Sequence, residues 1–574
     1  MSCPQAEQGT ALSAPRGITD KTHNERMITV PSIRRIAACA VSAFMAAAML
    51  CTGVAYADEP YDGYNYDWYG DPIPSQNGYV VEKVVTGKDI GCGDLSTPSD
   101  MFVSASDEIY IADTAYSGTL DSNMKGRIIK TDSKFNLINA IEYLDFSEVG
   151  EWLKRREDAV NAGTLDQSRY AKETSLYFKG PTGVFVDDDD MIYVADNENE
   201  RVVAFYAEKD DSGIGYGKVV AVYTRPEEEV FDQTQTFNPS KVLVDAAKNV
   251  YIVIDSTTKG AIVFSREGEF NGYFGANRVE KTGEVIMNAF WKLIFTREQI
   301  MRMRRNVPVE ISNFDIDEDN FIYTVTETKN SDTDILKKLN SAGTNIFVNL
   351  GYDDYNFGDY LTKYYRGKTY SSRITDVDIG DNGVINLLDL ETGRIFQYSD
   401  ECDLLFIFGG TGSQKGTFTT VNAVESLGNN VFVLDGRKNS VTVFGRTEFG
   451  SIVHEAITLF NTGKYAESVG PWNEVLRRDS NYWWAYVGLG NAYLNQNDFE
   501  TAMDYFYYNS RMGYNEAFKG WRMAFIRENF TLFAVIIILL LAAIYVISSV
   551  RGRQRAKKKA AADKLLREQQ KKEE

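Results

Sequence analysis

Histidine is almost missing from this chain: of 574 residues, only His23 and His454 are histidine. Neither falls between residues 24 and 453, so no Ser-His-Asp or Cys-His nucleophile and no histidine zinc site can be assembled there. Cysteine is nearly as scarce. Cys3, Cys39 and Cys51 precede an expected processing site, leaving Cys92 and Cys402. Two cysteines do not make a disulfide scaffold; one Cys92–Cys402 bridge is the most they allow, and sequence does not decide whether it forms. Positive charge is also short, with 61 Lys/Arg against 81 Asp/Glu. What surplus of base exists sits at the two ends, so residues 58–550 are more acidic than the whole chain. Such a surface repels phosphate backbones and excludes nucleic acid as a partner.

Long hydrophobic runs number two. The first, Ile36 to Val54, follows Arg34-Arg35 and ends in Ala55-Tyr56-Ala57, the small-x-small pattern of a signal-peptidase site. Cleavage is expected before Asp58, with Met27 as an alternative start and an uncleaved signal anchor as the competing reading. The second, Phe530 to Val550, has no charged residue and the length of a bilayer-spanning helix. Arg551, Arg553, Arg555 and Lys557-Lys558-Lys559 follow at once, which predicts a cytoplasmic tail and places Asp58 to Asn529 outside. The tail itself reads as a short solvated helix.

What is abundant is alternation. A unit recurs six times: an apolar-alternating strand, an acidic turn, an aromatic and β-branched strand ending in Asp, then a third strand. Its clearest copy reads Pro181 to Asp187, Ile192-Tyr193-Val194-Ala195-Asp196, and Arg201 to Phe205. Other second strands are Ile109 to Asp113, Val250 to Asp255, Phe321 to Thr326, Val384 to Asp389 and Val431 to Asp435. Period-two alternation bounded by Asp, Asn and Gly turns is the hairpin signal. Repeated sheets that must bury both faces close radially as propeller blades. The predicted fold class is mainly β: a β-propeller of about six blades, a small α-helical array and one transmembrane helix. Tyr79 to Val85 is the candidate strand that closes the ring.

Pro181-x-Gly183, Tyr193-Val194-Ala195-Asp196 and Asn199-x-Arg201 make the chain resemble the NHL-repeat propellers over roughly residues 79–445. Later units keep the strand pattern but lose the proline and most of the arginine motif. The long excursions 144–178, 276–310 and 351–371 each join an outer strand to the next inner strand. Propeller order sends them to one face, together with the loops after the Asp-ended second strands. That face is the candidate binding surface.

Asp113, Asp196, Asp255, Asp389 and Asp435 end equivalent strands there. They are the weak candidates for a Ca²⁺ site, as in the gluconolactonase-like propellers. Set against this, each aspartate would accept backbone N–H bonds in its own turn, and repetition in every blade favours that reading. Asp187 to Asp190 reads as a solvated hairpin tip. In the insertions, Tyr352, Tyr355, Tyr360, Tyr364 and Tyr365 sit among Asp and Asn, a mixture that suits sugar rings or a protein interface as well as local packing. Residues 286–306 read as an amphipathic helix whose Trp291 stripe is followed by Arg302, Arg304 and Arg305. These pair internally or dock an acidic partner. Trp152 and Leu153 are expected to pack locally, and Tyr61 to Tyr69 to form either a flexible lead-in or a strap.

Residues 450–525 carry a 34-residue period: Tyr465 and Phe499, Ser468 and Ala502, Trp472 and Phe506, Ala456 and Gly490. With Leu489-Gly490-x-x-Tyr493, this resembles tetratricopeptide repeats. So short an array needs capping by the propeller, the bilayer or a partner. His454 within it is expected to pack rather than to ligate. The expected segments are a signal peptide at 1–57, an aromatic lead-in at 58–78, the propeller at 79–447, helical repeats at 448–525, the span at 530–550 and the tail at 551–574. The combination resembles Gram-positive exported proteins associated with carbohydrate ABC transport. That resemblance implies an accessory role in sugar uptake. The leading reading is a binding or scaffold role in carbohydrate uptake or cell-envelope glycan recognition, with a transporter subunit or solute-binding protein as partner, carbohydrate as a candidate ligand, and no cofactor expected beyond Ca²⁺. The alternatives are a Ca²⁺-dependent lactonase or glycan-active hydrolase, or a structural cell-envelope protein.

Overall fold

The computed structural model describes residues 60–61, 63–66, 70–117, 126–228, 230–255, 257–276, 310–327, 335–347, 357–359, 363–365, 368–370, 372–507 and 510–573. The expected signal peptide and the predicted 286–306 helix lie outside them. A lead-in hairpin pairs β1 (Tyr64–Tyr66) with β2 (Pro72–Pro74), and β3 (Tyr79–Thr86) runs into the one-turn α1 (Gly87–Ile90). The first antiparallel unit is β4 (Pro98–Val103), β5 (Ile109–Asp113), β6 (Arg127–Thr131) and β7 (Leu137–Asp145). After α2 (Gly150–Asn161) and α3 (Gln167–Glu173) come β8 (Pro181–Val186), β9 (Ile192–Asp196), β10 (Arg201–Lys209) and β11 (Gly215–Thr224). The third unit is β12 (Pro239–Val244), β13 (Val250–Ile254), β14 (Gly260–Phe264) and β15 (Phe270–Gly275).

Three described strands form the next: β16 (Asn313–Ile316), β17 (Ile322–Val325) and β18 (Leu336–Leu339). A short hairpin of β19 (Lys363–Tyr365) and β20 (Lys368–Tyr370) precedes β21 (Ile374–Ile379), β22 (Ile385–Asp389), β23 (Arg394–Tyr398) and β24 (Leu404–Gly409). Last come β25 (Val421–Leu427), β26 (Asn430–Asp435) and β27 (Ser440–Arg446). These take β3 as their outer strand, from Ser440↔Thr86 to Arg446↔Tyr79. The chain's first long strand thus fastens its last unit.

The first strands β4, β8, β12, β16, β21 and β25 pack side by side in a closed cycle, which is the β-propeller arrangement. The tight turns behind them have a common cause. Asp107, Asp190, Lys248 and Asn320 all take a left-handed conformation at the same hairpin position. One departure was not expected. The outer strands β7 and β11 pair in parallel, Tyr143 opposite Tyr216, and weld the first two units into one eight-stranded sheet. Their rings stack 5.4 Å apart, on strands longer than their counterparts elsewhere.

Beyond β27 the chain turns helical: α4 (Glu448–Asn461), α5 (Tyr465–Arg478), α6 (Trp483–Asn495), α7 (Phe499–Phe506) and α8 (Arg511–Glu528). Each packs on the next. The Thr447 side chain caps α4 by accepting from Gly450 N–H, and Ser510 caps α8 through Gly513 N–H. The 34-residue partners occupy matching environments: Trp472 and Phe506, Ser468 and Ala502 are all buried. The propeller caps the helices. Leu405, Phe406 and Phe408 of β24 share one core with Phe449, Val453, Trp472 and Tyr482. Every residue of β24 is buried in consequence, although an outer blade strand ordinarily shows one face to water. The 44-residue α9 (Phe530–Glu573) follows; among the described residues it is the one helix long and apolar enough to cross a membrane.

Candidate functional site

The cycle of first strands surrounds the propeller axis, and two rules govern what lines it. Five of the six first strands carry a bulge at the second residue, where the partner register slips by one, while β16 pairs with β17 without a slip. The bulged residues are Ser99, Thr182, Ser240, Thr375 and Asn422, and Ser312 stands just before β16; all six are short and polar. Several lean on the neighbouring unit. Ser99 Oγ donates to Pro181 O at 2.9 Å, Thr182 Oγ1 to Pro239 O at 3.1 Å, and Asn422 Nδ2 to Pro98 O at 2.7 Å. These six line a recess of about 700 Å³, with Asp255, Glu310, Glu327 and Lys241 contributing charge at its wall. The recess opens where the inner strands begin, on the face to which the insertions were assigned.

Deeper along the axis the inner strands have free N–H edges, which cannot be left unpaired away from water. Carboxylates of the preceding unit take them. Asp100 accepts from Val184 N–H at 2.8 Å, Asp315 from Ile379 at 2.7 Å, Asp376 from Val424 at 2.7 Å and Asp378 from Ser426 at 3.1 Å. Glu425 closes the circle by accepting from Val103 N–H at 3.0 Å. Lys241 pairs with Asp100 across the axis, and Asn313 donates to Asp376. Burial is the first cause raising all five acids. It lifts Asp376 to about 7 and Asp378 to about 6, and holds Asp315 and Glu425 well above the carboxylate range. Lys241 opposes the rise at Asp376 and Asp100. A second recess of about 290 Å³ at this end has Phe102 and Phe185 on one side and Asp315, Asp378 and Glu425 on another. None of these axial acids was singled out in the sequence. The signal was present as acids at alternate places of an otherwise apolar strand, as in Ile374-Thr375-Asp376-Val377-Asp378-Ile379.

Of the five strand-end aspartates, Asp113, Asp196, Asp389 and Asp435 are fully buried and only Asp255 is exposed and lines the larger recess. The buried four spend their oxygens on their own loops. Asp113 accepts from Ser96 N–H at 2.6 Å and Asp196 from Lys179 N–H at 2.7 Å. Asp389 accepts from Arg373 N–H at 2.8 Å and Asp435 from Thr419 N–H at 2.7 Å. Among the described residues, no group of three or more His, Cys, Asp or Glu is arranged to hold a metal ion. Asp187, at the predicted solvated tip, accepts from Met191 N–H at 3.0 Å and pairs with Lys248 at 2.9 Å. Tyr364 and Tyr365 lie in β19. Trp291, Arg302, Arg304, Arg305, Tyr352, Tyr355 and Tyr360 lie outside the described residues.

Cys92 and Cys402 are free thiols, so the one bridge the sequence allowed is not made. Of the two readings of the lead-in, the strap holds for the described tyrosines. Tyr61 donates to Tyr79 O at 3.1 Å, and Tyr66 and Tyr64 both donate to Asp359, which pairs with Arg394 at 2.6 Å.

The Asn199-x-Arg201 motif has a visible purpose. Arg201, wholly buried, donates from Nε to Asp196 at 2.9 Å and from Nη1 to Glu173 O at 2.9 Å, while Asn199 donates to the same aspartate at 2.7 Å. The arginine thus ties the end of one strand to the loop entering its unit. Arg127 repeats this with Asp113 and the carbonyls of Cys92 and Asp94. An NHL-repeat model matches residues 178–205. The match covers this motif and both strands it ties. At the same place β14 and β27 begin with Gly260 and Ser440, and Arg394 of β23 turns instead to Asp359.

No curated protein matches the chain. Among solved structures, virginiamycin B lyase from Staphylococcus aureus is similar at 8% identity, covering 64% of this chain and 100% of that one at a TM-score of 0.33. The PQQ-bound aldose sugar dehydrogenase of Streptomyces coelicolor is similar at 10%, covering 65% and 99% at 0.33. The Malassezia sympodialis allergen Mala s 1 is similar at 9%, covering 61% and 92% at 0.33. Likeness at this level carries no argument about what the chain does.

Proposed function

We propose that this is a membrane-anchored binding and scaffold protein of the cell exterior, accessory to carbohydrate uptake by an ABC transporter, with its ligand site in the recess where the inner strands begin. The observation that carries this reading is the convergence of six short polar side chains, one from each inner strand or its lead-in, on one recess of about 700 Å³. Neutral hydroxyl and amide groups, outnumbering the four charged residues at the wall, suit a polyhydroxylated ligand. The recess is large enough for one or two sugar rings.

The reading takes residues 79–447 as a six-bladed propeller and 448–525 as a tetratricopeptide-like array, a reading supported by the matched burial of residues 34 apart. That array would face a transporter subunit or solute-binding protein. Residues 530–550 span the membrane, with residues 551–574 on the cytoplasmic side. The lactonase alternative draws on Asp255 alone of its five aspartates, since the others are spent on turns.

Titration of the full-length protein in detergent with neutral mono- and oligosaccharides tests the ligand. Saturable binding is expected, weakened about threefold to tenfold by Thr375→Val, which removes one hydroxyl at constant volume. No binding of any neutral sugar, with Thr375→Val indistinguishable from the parent, would end the carbohydrate reading.

A further inference from the structure

The helix α8 has two unlike sides. One packs inward: a Cβ on Gly513 would stand 2.6 Å from the Phe506 ring, one on Gly520 would stand 2.4 Å from the Phe499 ring, and Ala517 between them is fully buried. Trp521 fastens the same side, its Nε1 donating to Glu500 at 3.1 Å. The other side is apolar and exposed, with Phe518 and Phe525 stacking on Trp521 at its edge. Met523 is 62% exposed and Met512 52%, with Phe518, Phe525 and Ile526 also exposed. Its basic residues are Arg511, Lys519 and Arg522, all exposed, and Glu516, beside Met512 and Met523, is the acid at its edge, while Glu528 falls toward the inward side at 3.6 residues per turn. On so acidic a chain, a face of large apolar groups and base is out of character.

Continuity says what covers it. A single residue, Asn529, separates α8 from α9, and Phe525 meets Phe533 across that joint at 6.1 Å. Phe530 to Val550 alone gives about 31 Å of helix, the full hydrocarbon thickness. The apolar face of α8 is therefore not needed inside the core and falls at its edge. That is where aromatic rings and the long stems of Lys and Arg settle, with their charges among phosphates. We propose that the exposed face of α8 is a membrane-interface surface, seated among anionic lipid headgroups at the N-terminal end of the α9 span. It holds the helical array, and the propeller that caps it, at a set height above the bilayer. This rests on the membrane anchorage proposed above.

The test uses the unaltered full-length protein in phosphatidylcholine vesicles with and without phosphatidylglycerol, each doped with a photoreactive lipid and mapped by mass spectrometry. Crosslinks are expected in residues 530–550 in both vesicles. They are expected in residues 512–526 more strongly when phosphatidylglycerol is present. The double variant Lys519→Glu, Arg522→Glu should lose that anionic-lipid gain while its crosslinks in 530–550 stay unchanged. Crosslinks in 530–550 without any in 512–526 would overturn the proposal and leave the anchorage standing. So would α8-to-α8 crosslinks between two copies in place of lipid, or α8 labelling that ignores phosphatidylglycerol. No crosslinks in either segment would overturn both readings together.

Discussion

His454 Nε2 lies 2.9 Å from Gln397 Oε1. Because that oxygen can only accept, the ring carries its proton on Nε2. The Gln397 amide nitrogen in turn donates to Tyr79 OH at 3.0 Å and to Asn386 Oδ1 at 2.8 Å, and Asn386 donates to Asp378 at 2.7 Å. A chain of hydrogen bonds therefore crosses one blade, from the propeller axis to α4. The second histidine of the sequence links two parts of the fold.

Gln397→Leu should break this chain at its centre and orphan partners on both sides, at a cost of about 1–3 kcal/mol. The loss should be shared: hydrogen exchange is expected to speed both in α4 and in β22. Exchange that changes in one element only would show that the chain does not join them.

The pH response follows from two opposed groups. Burial, and then the Arg446 charge, push His454 down to about 3, so its contribution is present above the ordinary imidazole value and is lost as pH falls below about 6.5. Burial lifts Asp376 to about 7, so its contribution is present in acid and is lost as pH rises through about 7. The two oppose each other between about pH 4 and 6.5, and because Asp378, raised to about 6, adds to Asp376, the thermal midpoint should decline as pH rises through about 6 to 7. Asp376→Asn should make that decline shallower and leave the loss assigned to His454 below about pH 6.5 less opposed, measured by melting the parent and the variant across pH 4 to 9.

Arg201→Ala should be far more harmful than its single motif suggests. It leaves Asp196 buried beside no counter-charge, which costs about 3–5 kcal/mol. Asp255, exposed at the equivalent strand end, is the contrast: Asp255→Ala should change the unfolding free energy by about 0.5 kcal/mol or less. Comparable losses from both substitutions would contradict the structural role given to the buried aspartates.

Gly488→Ala should disturb the helical array without touching the propeller axis. Its added methyl would stand 2.5 Å from Trp472 Cε2, in a core where overpacking costs about 1–3 kcal/mol. Limited proteolysis should cut first within residues 448–506, whereas the pH response assigned to Asp376 should persist.

Local pattern was enough for much of this. Alternation in Ile192 to Asp196 and its copies marked the strands, since one side of each strand must find a core. The 34-residue spacing marked Trp472 and Phe506 as equivalents, and both are buried. Burial at the axis was not readable, because Asp376 and Asp378 look like ordinary strand acids until the ring closes around them. The parallel union of β7 with β11 depends on how two blades meet at their rims, which no local period encodes. Whether Cys92 meets Cys402 also depended on where distant loops come to rest.

The amino-acid order by itself marked the repeated second strands, the 34-residue helical period, the apolar run Phe530 to Val550, and the chemistry that the scarcity of histidine excludes. These follow from periods of two and 3.6 residues and from composition, all properties of neighbours along the chain. Only the tertiary structure decided which polar residues face the axis, which aspartates are spent on their own turns, and that β24 and the helices share a core. Those outcomes depend on unpaired backbone edges and exposed faces finding partners hundreds of residues away, and the cost of leaving them unpaired exists only once the ring has formed.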